Sequence, residues 1–100
     1  MSLYALIGLD RAGSLPTRLR VRGAHLERVR ALADAGRIVV AGPFPAIDSD
    51  IPGEAGFAGS LIVAEFDDLE AARRWFDDDP YVTNGVFQSH EVRPFIQVLP

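Results

Sequence analysis

The sequence predicts an α+β domain: a four-stranded antiparallel sheet with two helices packed on one face. Three observations lead there. Short apolar runs without a wet side alternate with stretches of helical spacing, in the order strand, helix, strand, strand, helix, strand. Glycines and prolines punctuate that order at the expected joints. No apolar run departs from it: the segment Leu3 to Leu9 stops at Asp10 and Arg11, far short of the roughly 18 residues of a membrane helix.

Length sets the scale. One hundred residues, 48% of them hydrophobic, suffice for one core and not for two, so residues 1–100 are expected to form a single domain. Leu3 to Leu9 is apolar at consecutive positions and reads as a first strand buried on both faces. Ser14 and Pro16 offer a helix start, and Leu26, Val29, Leu32 and Ala33 continue it to a stop at Gly36. Gly23 lies inside that pattern. A helical glycine costs about 1 kcal/mol relative to alanine, so a break is expected there, with the main helix beyond it. The second strand is Arg37 to Ala41.

From Gly42 to Gly59 the chain holds Pro43, Pro45, Pro52, Gly53 and Gly56 among Asp48, Ser49 and Asp50, a composition that favours turns. Loops of this length either wall a site or are tolerated surface insertions. Ser60 to Phe66 is the third strand. The second helix starts with Asp67 as N-cap, Glu70 in capping-box position and Asp68 in the first turn, and it buries Leu69, Ala72 and Phe76. It cannot pass Pro80, which pushes Asp79 to extended geometry. A turn from Tyr81 to Gly85 leads to a fourth strand from Phe87 to Val98.

This order is the split βαβ arrangement of ferredoxin-like folds. Its two helices can cover one face of the sheet, yet the first three strands are apolar at odd and even positions alike. A second buried face is therefore expected, supplied by a two-fold partner: a homodimer through the sheet face, burying on the order of 1,600 Å² or more.

Composition excludes several kinds of chemistry. There is no Cys, which removes thiolate nucleophiles, disulfides, iron–sulfur ligation and cysteine zinc sites. All ten basic residues are Arg, so a Schiff-base lysine and a P-loop are excluded too. The net charge of −4 offers no footprint for nucleic acid. Neither a membrane span nor a signal peptide is legible, so a soluble cytoplasmic protein is expected. Two histidines at no ligand spacing predict no metal site, and no cofactor is expected.

The polar residues converge at one edge of the predicted fold. Antiparallel helices bring the early part of the first beside the end of the second, so His25 and Asp79 should be neighbours. His25 precedes Val29 and Leu32 at four and seven residues and lies on the inward side of its helix. An inward histidine is either a core residue tethered by one hydrogen bond or, if a carboxylate holds one ring nitrogen, a proton shuttle. Asp79 has its own structural alternative, since a carboxylate before proline often initiates a turn. Gly42, Pro43 and Ser60 reach the same edge and, with Tyr81 and Arg22, are the expected substrate-contacting residues. Arg22 is one turn before His25 and, with the helix N-terminus, would bind negative charge. Arg18, Arg20, Arg28 and Arg30 otherwise read as a solvated helix face, Asp77 and Asp78 as solvated, and His90 as structural or interfacial.

The stretches Arg22-Gly23-Ala24-His25-Leu26, Gly36-Arg37 to Ala41-Gly42-Pro43, Gly59-Ser60, Glu65-Phe66 with Leu69 to Trp75, Asp79-Pro80-Tyr81 and Val92-Arg93-Pro94-Phe95 together resemble the YCII-related (YciI-like) family along essentially the whole chain. The resemblance implies a dimeric α+β barrel related to the muconolactone isomerase class. It also implies a His and Asp pair at the active site, here His25 and Asp79, and a link in some relatives to dehydrochlorination of small aromatics. Three functions follow as expectations: a cofactor-independent lyase or isomerase acting on a small anionic or aromatic molecule, a non-catalytic binding module using the same cleft, or a dimeric accessory protein.

Overall fold

The computed structural model describes residues 1–100. Four strands, β1 (Ser2–Asp10), β2 (Ile38–Pro45), β3 (Phe57–Phe66) and β4 (Phe87–Phe95), form one antiparallel sheet in the order β2-β3-β1-β4. Helix α1 (Leu15–Asp34) joins β1 to β2. Helices α2 (Leu69–Asp77) and α3 (Pro80–Thr83) join β3 to β4.

Register explains which face each strand residue takes. Leu6 stands opposite Ile62 on one side and Val92 on the other, and Tyr4 opposite Ala64. These residues point to the helices and meet Val21, Leu32, Phe66, Ala72, Phe76 and Phe87 in the core. Gly8 belongs to the same row, and a Cβ there would fall on the Phe87 ring, so only glycine leaves Phe87 its place. The intervening residues Leu3, Ala5, Ile7, Leu61 and Val63 point to the opposite face, where the chain places no helix. The expected two-sided burial of β1 is thus met on one side by the chain's own helices.

Several element boundaries differ from expectation. Helix α1 runs unbroken for 20 residues across Gly23. Its first half is pinned to the sheet by Arg18, whose ion pair with Asp10 holds the helix where propensity alone would loosen it. Asp68, not Asp67, caps α2 by accepting the Ala71 amide at 2.7 Å, and Glu70 falls one position short of a capping box. Strand β2 continues through Gly42 to Pro45, because an edge strand accepts prolines whose missing N–H would face solvent. The loop shrinks to residues 46–56, with a short 3-10 turn at Gly53–Ala55. The turn after Asp79 closes into α3, and β4 ends at Phe95 rather than Val98.

Candidate active site

Helices α2 and α3 are joined by Asp78 and Asp79 alone. Pro80 holds Asp79 extended (φ −67°, ψ 139°) and suits the first helical position of α3, where a missing N–H is no loss. Asp79 caps that helix: its Oδ2 accepts the Tyr81 amide at 3.0 Å. The same backbone aims the fully buried carboxylate at α1. His25 Nδ1 lies 2.8 Å from Oδ2, and Arg28 donates Nη1 to Oδ1 at 3.0 Å. Arg28 is itself fixed by Trp75, whose carbonyl accepts Nη2 at 2.8 Å and whose ring centroid lies 4.2 Å from Cζ. The turn-initiating and the histidine-pairing readings of Asp79 are both realised, by one carboxylate.

The tautomer follows from this donor count. With N–H donors on both oxygens, Asp79 is the acceptor, and Nδ1 of a neutral His25 is the donating nitrogen. Nε2 makes no hydrogen bond within the protein and is not sealed from solvent. The imidazole stacks on the Tyr81 ring, centroids 4.0 Å apart and planes 16° from parallel, which fixes its tilt.

A cavity of about 160 Å³ opens between α1 and the β2–β3 edge. Apolar walls come from Leu26, Val29, Pro43, Phe57 and Ile62; polar groups come from Arg18, Arg22, His25, Ser60 and Tyr81. Its volume is close to that of a cavity of roughly 150 Å³ known to hold benzene. Each expected substrate-contacting residue lines it: Arg22 at the exposed rim, Gly42 and Pro43 on the edge strand, Ser60 and Tyr81 inside. Asp79 does not; it lies behind His25.

Arg18 departs furthest from expectation. It is buried, donates Nε and Nη2 to the two oxygens of Asp10 at 2.8 Å each, and extends Nη2 to the Gly59 carbonyl (3.0 Å) and Ser60 Oγ (2.9 Å). Its Cζ lies 4.5 Å from the Tyr81 ring centroid. A solvated reading failed because two of its three partners, Gly59 and Ser60, are 41 and 42 residues away in sequence. One signal was available: Arg18 and His25 are seven residues apart and share a helix face with Val21 and Leu32. Burial pushes the Tyr81 hydroxyl above its ordinary value of 10.0, a shift that the Arg18 charge partly opposes. Arg28 is likewise half-buried, not solvated. The positive end of α1 begins at Leu15, more than two turns before His25, so the helix N-terminus does not serve the dyad. His90 pairs with Asp77 at 2.8 Å on the outer side of α2, away from this cavity.

Fold and connectivity define a ferredoxin-like α+β protein. Within that class the chain belongs to the YCII-related domain family, which matches residues 2–96. It is 53% identical over 96 residues to the protein YciI of Escherichia coli, spanning 96% of this chain and 98% of that protein. An uncharacterized protein of Haemophilus influenzae is 44% identical over 95 residues, spanning 95% and 97%. Among solved structures, the 5-chloro-2-hydroxyhydroquinone dehydrochlorinase of Burkholderia phenoliruptrix, in complex with 2,5-dihydroxybenzoquinone, shares the fold with a TM-score of 0.81 at 24% identity, over 94% of this chain and 93% of that one. Protein Atu4242 of Agrobacterium tumefaciens shares it more distantly, with a TM-score of 0.52 at 15% identity over 96% and 92%.

Proposed function

We propose that this chain is a cytoplasmic, cofactor-independent enzyme that performs acid–base chemistry of the lyase or isomerase type on a small, flat, anionic or aromatic molecule. One observation carries the reading: His25 is held through Nδ1 on a buried carboxylate while Nε2 stays open at a cavity of ring size. In this reading Nε2 takes a proton from the substrate and returns it or passes it on. Asp79 fixes the tautomer and stabilises the imidazolium that forms. Arg22 has no carboxylate partner and waits at the rim for negative charge.

Magnitude narrows the chemistry. Positioned acid–base catalysis contributes roughly 10²- to 10⁴-fold, which suits substrates with an acidic proton or a good leaving group. The dehydrochlorinase of the same fold acts, by its name, on a chlorinated hydroxyhydroquinone, a substrate of this kind. The working form is a homodimer in which two open sheet faces pack together, covering Leu3, Ile7, Leu9, Val40 and Phe95.

The test is turnover of chlorinated hydroquinones and hydroxyquinones, followed by chloride release and absorbance. Turnover that is lost in His25→Ala while the protein stays folded supports the proposal. Turnover that survives this substitution refutes it. Thermal stabilisation by these compounds without turnover assigns the cavity to a binding module instead.

A further inference from the structure

Three groups lining the cavity hold protons or lone pairs that no other protein group takes up. His25 Nε2 is one. The other two are hydroxyls. Ser60, 4% exposed, uses its oxygen to accept Arg18 Nη2, and no protein atom accepts its own proton. Tyr81, 2% exposed, likewise has no acceptor for its phenolic proton, although its ring is fixed by His25 and Arg18. Both residues line the cavity. Arginine can only donate, so whatever Arg18 offers these two oxygens leaves their protons directed elsewhere.

We infer that the Ser60 and Tyr81 hydroxyls form a hydrogen-bonding site for a substrate oxygen that gains negative charge during the reaction, with Arg18 as the positioning residue that orients them. The inference rests on the acid–base reading and specifies its substrate class: an enolisable carbonyl compound or a phenol whose acidic proton is within reach of His25. The step balances without any further reactant. Nε2 takes the proton from the carbon beside the carbonyl, and the C–H electron pair becomes a C=C bond. The carbonyl π pair moves to oxygen, where the two O–H groups receive it. Return of the proton at another carbon completes an isomerisation, and departure of an anionic group from the neighbouring carbon completes an elimination.

The surroundings suit neutral donors. Burial holds the phenol protonated to beyond its ordinary range, so Tyr81 remains a donor throughout the working pH. The Arg18 charge is matched by Asp10, which lets it polarise the hydroxyls without adding net charge to the wall. The uncompensated cation at the cavity is Arg22, which sits at the rim rather than inside.

A chromogenic phenol tests this without knowledge of the natural substrate. 4-Nitrophenol changes colour on ionisation, so its absorbance reports both binding and the protonation state of the bound molecule. Two O–H donors aimed at its oxygen should make the bound dye ionise at lower pH than the free dye. Tyr81→Phe preserves the ring stacked on His25, and Ser60→Ala removes one small hydroxyl. Each should weaken phenolate binding about tenfold or more and shrink the displacement of the dye's ionisation. A wild-type protein that does not bind the phenolate, or folded Ser60→Ala and Tyr81→Phe proteins that bind and ionise it as the wild type does, would overturn the oxygen site. Those results leave the dyad reading intact, since that reading stands or falls on turnover in His25→Ala.

Discussion

Arg28 donates to Oδ1 of Asp79 at 3.0 Å, one turn along α1 from the imidazole that occupies Oδ2. A single carboxylate with no exposed surface therefore ties together α1, the α2–α3 junction and the first turn of α3. The helix cap and the proposed proton relay are the same group, so Asp79 couples stability to the proposed activity.

Asp79→Asn should show that coupling. The amide keeps the shape but gives up one acceptor oxygen, leaving a donor turned toward the Arg28 guanidinium or the Tyr81 amide and His25. A loss of about 2–4 kcal/mol of stability is expected from the broken buried network, together with loss of most turnover. Denaturant unfolding and kinetic assays on the same preparation check both. Full activity in a folded Asp79→Asn protein would remove Asp79 from the proposed mechanism.

Arg18→Met tests the second buried pair. Both side chains are 4% exposed, so methionine leaves the Asp10 carboxylate buried without a partner. Breaking such a pair costs about 3–5 kcal/mol. Adding Asp10→Leu to Arg18→Met removes the orphaned charge and should recover much of that loss, because an apolar replacement of the whole pair is often neutral. The coupling is read from a double-mutant cycle in urea.

Tyr81 makes stability depend on alkaline pH. Its folded hydroxyl ionises above the ordinary value of 10.0 because burial disfavours the phenolate. Between the two values the native state binds the proton that the unfolded chain has lost, so stability falls as pH rises. The contribution is fully present below about pH 10 and disappears as pH climbs through the folded value. Tyr81→Phe should flatten this part of the curve, measured by urea unfolding from about pH 8 to 11. Tyr4 is common to both proteins and cancels in the comparison. A slope unchanged by the substitution would show that another group controls it.

Ile7→Arg tests the open sheet face. Ile7 stands between Leu61 and Glu91 on the side that carries no helix. An arginine there would not disturb the chain's own core, but two copies would meet like charges across a two-fold interface. At micromolar concentration the wild type should sediment as a dimer and the variant as a folded monomer. A wild type that sediments as a monomer would defeat the proposed assembly.

Local signals in the sequence determined the strand and helix order, and with it the meeting of His25 and Asp79. Apolar spacing placed His25 inward, and Pro80 fixed the backbone of the residue before it, whatever the rest of the chain does. The same was true of the cavity edge at Gly42, Pro43 and Ser60, which follows from connectivity. Helical spacing places Arg18 on the inward face with His25, but only tertiary structure supplied the acceptors that let its charge be buried there. The free energy of a buried guanidinium depends on acceptors from Asp10, Gly59 and Ser60, and two of those come from the far side of a long loop. Helix α1 runs on across Gly23, where local propensity predicts a break, with tertiary contacts at Arg18 before it and at His25 and Arg28 after it. Phe87 settling over Gly8 has the same origin, since a strand glycine shows its purpose only once the ring that fills its space arrives from 79 residues away. Spacing along the chain carries what neighbouring residues impose on each other. Burial of charge and filling of space are set by groups distant in sequence, and those energies exist only in the folded protein.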